Sequence, residues 1–289
     1  MSGAQKAGAK SRKQKRNPKM SVRMKRAPYL AIFAVALVVV IVVTVLASAL
    51  ASPAEPRAET LIPRRIMQTW KTRDLSPRMR EIAQSWPMMN RGYVYSLYDD
   101  DECRRFIEVK FGARALAAYD KIEAGAFKAD MWRYCALYVH GGVYVDLDTL
   151  CVGSIEAVLD PSAALVVPVD IDERNLFNAF LAVVPRHPVM LACVDRIVAH
   201  VEAGVEQAGF DFSGPGLLGQ CVADYLGVPR GLRFVPGTYH GIQLLYFSPQ
   251  TEIVSSADGR ALFLNKNGDS GIMHVYMNES AKAGVVRYR

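Results

Sequence analysis

The sequence predicts an α/β domain built on a mostly parallel central sheet and preceded by one transmembrane helix. Two observations carry this prediction: strand-like and helix-like segments alternate along residues 61–289, and residues 29–51 form an uncharged apolar run. Such alternation is typical of a sheet covered by helices. With 289 residues and an apolar fraction of 51%, the chain can bury one sizeable core.

The apolar run at residues 29–51 is the predicted membrane anchor. As a helix it spans about 34 Å, which covers a bilayer core of about 30 Å. A cleaved signal peptide is the alternative, but its apolar core is normally only about 7–15 residues long. Basic residues crowd the N-terminal side of the run, and Glu55 and Glu59 follow it. The positive-inside rule therefore predicts a single-pass type II membrane protein whose folded domain is lumenal, as in the Golgi, or extracytoplasmic.

The net charge of +7 belongs to the N-terminal tail and not to the folded part. Ten of the 35 basic side chains lie in residues 1–27 without an acidic one, which leaves 25 basic against 28 acidic side chains elsewhere. A nucleic-acid-binding domain would carry positive charge on its own surface, so no nucleic-acid partner is expected. The predicted organisation is a cytosolic basic tail at 1–27, a signal anchor at 28–51, a polar stem at 52–60 and a folded domain at 61–289.

The five cysteines would lie in an oxidising space. Their number is odd and no pair has CxxC spacing, so a metal cluster is not indicated, and one or two disulfides are allowed without a predicted pairing.

The elements of the folded domain follow from local patterns, in chain order. A first strand at 65–70 is followed by a helix that begins at Ser76-Pro77, since Ser is a good cap and Pro suits the first helical position. The remaining predicted strands are 93–97, 143–145, 163–169 and 179–184. The remaining predicted helices are 101–110, which stops near Gly112, then 127–139, 188–201 and 217–226.

The stretch at residues 128–148 carries the clearest chemical signal. Asp130 and Arg133 lie about 60° apart on the helix, away from its apolar stripe. A solvated surface ion pair is the alternative interpretation of these two residues. Gly141-Gly142 ends the helix and allows a sharp turn into a short buried strand.

That strand finishes in Asp146-Leu147-Asp148. Residues i and i+2 of a strand share a face, so the two carboxylates are expected to emerge together at the carboxyl end of the strand, where open α/β sheets bind ligands. Two like charges at short range are unfavourable unless a cation lies between them. Mg²⁺ and Mn²⁺ prefer such oxygen ligands and bring phosphates with them.

Residues 128–148 resemble the Asp-x-Asp sugar-binding region of glycosyltransferase family 32, which includes Golgi-type mannosyltransferases and capsular-polysaccharide enzymes. The similarity extends over roughly residues 61–220, through segments at 62–71, 86–101, 175–188 and 213–216. The first strand departs from the family, which often has His where this chain has Met67.

The resemblance implies a GT-A-type nucleotide-sugar-binding fold and a metal-dependent retaining glycosyltransferase. It implies Mn²⁺ or Mg²⁺ as cofactor, a GDP- or UDP-linked donor of a hexose, with mannose favoured, and a glycan or glycolipid acceptor. The implied metal ligands are Asp146, Asp148 and His274. His274 matches the His near the end of many members, but the Trp that follows it in those members is missing here. The expected donor-binding residues are Gln68, Trp70, Asp130, Arg133, Gly141, Gly142 and Asp146, and the expected catalytic residues are Asp130, Arg133 and Asp148.

Two other functions fit parts of the pattern. Residues 143–149 also match the opening strand of a haloacid-dehalogenase phosphatase, in which Asp146 would be the nucleophile and Asp148 a general acid. That class normally begins its domain with this motif, whereas here about 80 residues of α/β pattern precede it. A non-catalytic glycan-binding protein on the same fold is the third possibility, and the intact pair of carboxylates counts against it.

Overall fold

The computed structural model describes residues 60–249 and 251–265 of the chain. Within these residues, no helix has both the length and the apolar character needed to cross a bilayer. The predicted tail and anchor, nearly all of the stem, and His274 lie outside the described residues.

Ten strands and six helices form the described part of the chain. The strands are β1 (Arg65–Thr69), β2 (Val94–Tyr98), β3 (Gly142–Val145), β4 (Thr149–Cys151), β5 (Leu165–Pro168), β6 (Phe180–Val183), β7 (Gly237–Tyr239), β8 (Ile242–Ser248), β9 (Ile253–Ser255) and β10 (Ala261–Asn265). The helices are α1 (Pro77–Met89), α2 (Asp100–Lys121), α3 (Gly125–His140), α4 (Ile155–Val158), α5 (Pro188–Glu202) and α6 (Pro215–Leu226).

Side-chain hydrogen bonds cap the first turns of two helices. The side chain of Ser76 caps α1, with Pro77 in its first turn, and this confirms the predicted helix start. Asp99 and Glu102 form a reciprocal capping box at the start of α2. The predicted helix at 101–110 is too short, because Gly112 adopts a φ of 76° and the chain continues helically beyond this kink.

The sheet is mixed, and this corrects the prediction of a mostly parallel sheet. Its strand order is β2-β1-β3-β6-β5-β8-β9-β10-β4, and β7 pairs with β8. Among the described strands, only β1/β2, β1/β3 and β5/β8 pair in parallel. Helices connect the first three strands, whereas the strands from β7 to β10 follow one another through short loops that permit only antiparallel pairing.

Two buried clusters cover the two faces of the sheet. One contains apolar residues of α2, α3, α5 and α6, and the other contains residues of α1 and the C-terminal strands. Along β3, Tyr144 belongs to the first cluster, while Val143 and Val145 belong to the second. This alternation directs the side chain of Tyr144, and of Asp146 two residues later, towards α3.

The five cysteines are all buried and free, so the structure contains none of the disulfides that an oxidising compartment would allow.

Candidate active site

The two aspartates of the Asp-x-Asp motif lie in a turn and not on the strand. β3 ends at Val145, and the backbone N–H of Thr149 donates to the carbonyl of Asp146 at 3.3 Å. The same-face rule for strand residues therefore holds for Tyr144 and Asp146, whose Oη and Oδ1 atoms are 2.7 Å apart, and not for the aspartate pair. Asp146 and Asp148 nevertheless follow β3 at the edge of the sheet where parallel β1 also ends.

Asp146 is paired with a buried arginine. The Nη2 atom of Arg133 lies 3.2 Å from Oδ1 of Asp146 and 3.1 Å from Oδ1 of Asp130. The guanidinium also lies over the ring of Tyr144, with 4.4 Å between its Cζ and the ring centroid. Asp130 and Arg133 are only 6% and 4% exposed, so the alternative of a solvated surface pair is wrong.

Residues from two distant loops complete this buried network. Asn178 donates from Nδ2 to Oδ1 of Asp130 at 2.8 Å, and its carbonyl accepts from Nη1 of Arg133 at 2.6 Å. Ser213 donates from Oγ to Oδ2 of Asp130 at 2.7 Å. Each buried charge thus has a partner, as a charge in a low-dielectric interior requires. The geometry assigns Asp130 and Arg133 to the support of Asp146.

Asn178 was not predicted as a site residue. The signal was present, because this residue is a single polar side chain inside the apolar run at 176–183. A buried amide in such a run costs free energy unless it finds partners, so its presence indicates a polar contact across the core. Which residue would supply that contact was not visible, since Asp130 is 48 positions away.

Asp148 differs from Asp146 in forming no ion pair with Arg133, although the charge of Arg133 still acts to lower its pKa. Among the described residues, no other side chain forms a hydrogen bond or ion pair with its carboxylate. Burial, and next the negative charge of Asp146, raise the pKa of Asp148 to about 7. A divalent cation beside this carboxylate would relieve both penalties, and oxygen ligands suit Mg²⁺ and Mn²⁺. The residues present therefore fit the implied metal.

Of the three expected metal ligands, only Asp146 and Asp148 lie within the described residues. Across residues 60–249 and 251–265, no group of three or more His, Cys, Asp or Glu side chains could hold a metal ion. The third expected ligand, His274, lies outside this part of the chain and stays a prediction.

Gln68 and Trp70 lie at the same edge as the aspartates but make different contacts. Gln68 is fully buried and donates from Nε2 to the carbonyl of Asp146 at 3.1 Å. Trp70 is partly exposed and packs against the apolar cluster that contains Leu147, the residue between the two aspartates. The predicted donor contact of Trp70 thus stays a prediction, whereas Gln68 contacts the backbone of the motif.

Gly141 and Gly142 lie at the opposite end of β3 from Asp146. Gly141 caps α3 with a φ of 61°, and a Cβ there would approach Pro185 to 2.6 Å. A Cβ on Gly142 would lie 2.9 Å from the carbonyl oxygen of Arg65. Three strand residues lie between Gly142 and Asp146, and the distance along the chain is about 13 Å. The structure therefore assigns them to the helix–strand turn and does not bring them to the aspartates.

The family whose description is "glycosyltransferase sugar-binding region containing DXD motif" matches residues 76–165. The matched segment includes Asp130, Arg133, Asp146 and Asp148. Residues 76–165 of this chain are thus similar to the sugar-binding region of DXD glycosyltransferases. The glycosyltransferase resemblance predicted from the motifs is thereby confirmed.

Relatives of the glycosyltransferase region occur in fungi and in a virus. The chain is 32% identical over 148 residues to a mannosyl phosphorylinositol ceramide synthase of Saccharomyces cerevisiae, covering 50% of this chain and 37% of the relative. It is 33% identical over 93 residues to an uncharacterized glycosyltransferase of Acanthamoeba polyphaga mimivirus, covering 32% of this chain and 37% of the relative. The chain thus spans well under half of either relative's length.

Among solved structures, the PaToxG glycosyltransferase has a TM-score of 0.48 to this chain, with 17% sequence identity and coverage of 78% of both chains. The family and the relatives are glycosyltransferases, and they lend no support to the phosphatase or the non-catalytic alternative.

Proposed function

We propose that this chain is a GT-A-type retaining glycosyltransferase that moves a hexose from a nucleotide-sugar donor to an acceptor hydroxyl. The observation that carries the proposal is the unequal pair of aspartates beyond β3. Asp146 is tied to Arg133, while Asp148 is left with a raised pKa and without a partner. Three acidic groups face one arginine here, so the site has an excess of negative charge that a cation would balance.

In the proposed mechanism, Asp146 and Asp148 would hold Mn²⁺ or Mg²⁺ against the donor diphosphate. When bound, the metal supplies Lewis-acid neutralisation of the charge on the leaving nucleoside diphosphate. Arg133 orients the carboxylate of Asp146, because the two groups lie 3.2 Å apart and the arginine side chain is buried. Asp130 and Asn178 in turn hold the guanidinium of Arg133 in place.

Direct donor contacts by Asp130 and Arg133 require an exchange of existing bonds. Every guanidinium nitrogen of Arg133 lies within reach of a protein oxygen, at Ala129, Asn178, Asp130 or Asp146. Both carboxylate oxygens of Asp130 also have partners. A sugar hydroxyl that contacts either residue would replace one of these bonds, so the two residues act first through Asp146.

The proposed donor is GDP-mannose, and the proposed acceptor is a glycan or a glycolipid. The support is the set of relatives, which includes a mannosyl phosphorylinositol ceramide synthase and an inositol phosphoceramide mannosyltransferase of Schizosaccharomyces pombe. Each relative is matched over less than half of its length, so donor and acceptor are proposals for this chain. UDP-linked hexoses are the alternative donors.

We also propose that residues 28–51 anchor the enzyme as a type II membrane protein with a lumenal or extracytoplasmic domain. The support is the uncharged run and the basic tail before it. Protease added outside sealed vesicles that carry the full chain should leave residues 61–289 intact until detergent is added. Digestion of this domain in intact vesicles would contradict the orientation.

A donor-hydrolysis screen tests the proposed function. The full chain in detergent is incubated with a panel of GDP- and UDP-linked sugars and Mn²⁺, and release of the nucleoside diphosphate is measured. We expect turnover of one donor, most readily GDP-mannose, that EDTA abolishes and Mn²⁺ restores. Hydrolysis of p-nitrophenyl phosphate without turnover of any nucleotide sugar would favour the phosphatase instead.

A further inference from the structure

Gln68 is a buried amide that bridges two strands and the Asp-x-Asp turn. Its Nε2 donates to the carbonyl of Asp146 at 3.1 Å, and its Oε1 accepts from Oη of Tyr95 at 2.7 Å. Its strand neighbours Ile66 and Met67 are apolar and fully buried, as Gln68 itself is. An apolar side chain could fill this position without the desolvation cost of an amide. What Gln68 adds over an apolar residue is therefore its two hydrogen bonds.

The same carbonyl is held from a second direction. Thr149 donates from Oγ1 to the carbonyl of Asp146 at 2.6 Å. Thr149 is itself fixed by Trp86 of α1, whose Nε1 lies 2.9 Å from the carbonyl and 3.2 Å from Oγ1 of Thr149. The carbonyl oxygen of Asp146 therefore accepts hydrogen bonds from Gln68 and Thr149. Residues of β2 and α1 hold these two side chains in place.

We propose that Gln68 is a positioning residue for the metal-binding carboxylates and not a nucleotide contact. Through the Asp146 carbonyl it sets the orientation of the peptide that begins the turn, and hence the placement of Asp146 relative to Asp148. The inference rests on the proposed metal role of these two aspartates. It assigns to Gln68, Tyr95 and Thr149 an effect on metal affinity although none of their side chains would touch the metal.

The physical expectation is a loss of metal affinity that exceeds the loss of stability. Two carboxylates on a short turn would bind a cation well only if their spacing is fixed before binding. Removal of partners that orient metal ligands typically costs about 10–100-fold in metal affinity. Gln68→Met keeps the length and burial of the side chain but removes both hydrogen bonds, and Tyr95→Phe removes only the outer one.

The test measures Mn²⁺ binding to the full chain in detergent by the electron paramagnetic resonance signal of free Mn²⁺. Thermal unfolding of the metal-free protein is recorded in parallel. We expect Gln68→Met to raise the Mn²⁺ dissociation constant about 10-fold or more, and Tyr95→Phe to raise it less. The matched control is Ile66→Val, a cavity-forming change on the same strand and face, which should lower the melting temperature without a change in Mn²⁺ affinity.

A second pair of variants keeps the proposal testable if Gln68→Met does not fold. Thr149→Val removes the hydroxyl and should weaken Mn²⁺ binding, whereas Thr149→Ser retains it and should restore binding. Wild-type affinity for Mn²⁺ in folded Gln68→Met or Thr149→Val would overturn the positioning role while leaving the proposed function intact. A wild-type chain that binds no Mn²⁺ would instead refute the metal site, and the inference with it.

Discussion

Asp146 and Asp148 are two residues apart, yet their side chains have different surroundings. Asp146 accepts from Tyr144, pairs with Arg133 and has its backbone carbonyl fixed by Gln68. These contacts fix the orientation of its carboxylate. Asp148 lies in the same turn with its pKa raised by burial and by Asp146, so it is the group that gains most from a cation.

Asp148→Asn should reduce Mn²⁺-dependent donor turnover about 10²-fold or more, because one of two carboxylate ligands is lost. The metal-free variant should be at least as stable as the wild type, since the change removes a charge that burial disfavours. Activity and thermal unfolding are measured together. Asp101→Asn, which alters an exposed carboxylate of α2, is the control and should retain activity. Full turnover by Asp148→Asn at saturating Mn²⁺ would rule out the metal role.

His187 predicts a pH dependence of stability. Its Nδ1 accepts from the N–H of Val189 at the start of α5, and burial lowers its pKa to about 4. Between pH 6.5 and 4 the unfolded chain binds a proton that the native chain does not, so the unfolding free energy falls as pH falls, by about 3 kcal/mol at most. His187→Asn keeps a capping acceptor and should flatten this slope in urea unfolding. An unchanged slope would show that other groups cause it.

At the scale of elements, the sequence predicted the helix ends, which depend on local residues, but not the pairing of distant strands. The start of α1 follows from Ser76 and Pro77, and the end of α3 follows from Gly141, because caps act within a few residues. The antiparallel strands β7 to β10 depend on pairing between separate segments, which no single segment specifies. Asp130 and Asp146 were predicted as site residues because they belong to a local motif. The contact of Asp130 with Asn178 was not predicted, because it joins residues 48 positions apart.

The turn between α3 and β3 should tolerate no side chain at Gly141. Gly141 and Gly112 both adopt positive φ with extended ψ, a conformation that costs about 1–3 kcal/mol for other residues. A Cβ at Gly141 would also meet Pro185 at 2.6 Å, whereas Gly112 has nothing within 4 Å. Gly141→Ala should therefore destabilise the fold by about 2 kcal/mol more than Gly112→Ala in denaturant unfolding. Equal losses would show that Pro185 moves aside freely.

At the scale of the whole molecule, the fold gathers at one edge what the sequence spreads over about half the chain. β1 supplies Gln68, the turn after β3 supplies both aspartates, α3 supplies Arg133, and the loop before α6 supplies Ser213. The helices of one cluster bury the charged network, and the partly exposed Asp148 stays near the edge. A ligand that binds this edge contacts several elements at once, so its binding should stabilise the whole domain.

Stabilisation of the domain by a bound ligand can separate the glycosyltransferase from the phosphatase. GDP with Mn²⁺ should raise the melting temperature of the full chain, because a ligand that binds only the native state stabilises it by about 2.7 kcal/mol at 100 times its dissociation constant. Neither GDP nor Mn²⁺ alone should raise it as much, since in the proposed mechanism the carboxylates and the diphosphate would share the cation. The Asp148→Asn variant should lose most of the shift.

Beryllofluoride, which mimics a phosphoaspartate, should give no shift. As a phosphatase nucleophile, Asp146 would have to attack through Oδ2, because its Oδ1 accepts from Tyr144 and faces Arg133. A beryllofluoride shift that disappears in Asp146→Asn, without any stabilisation by GDP or UDP, would make the phosphatase the better assignment. Stabilisation by GDP with Mn²⁺ is the result that we expect, because a cation held by Asp148 would also bind the oxygens of a diphosphate.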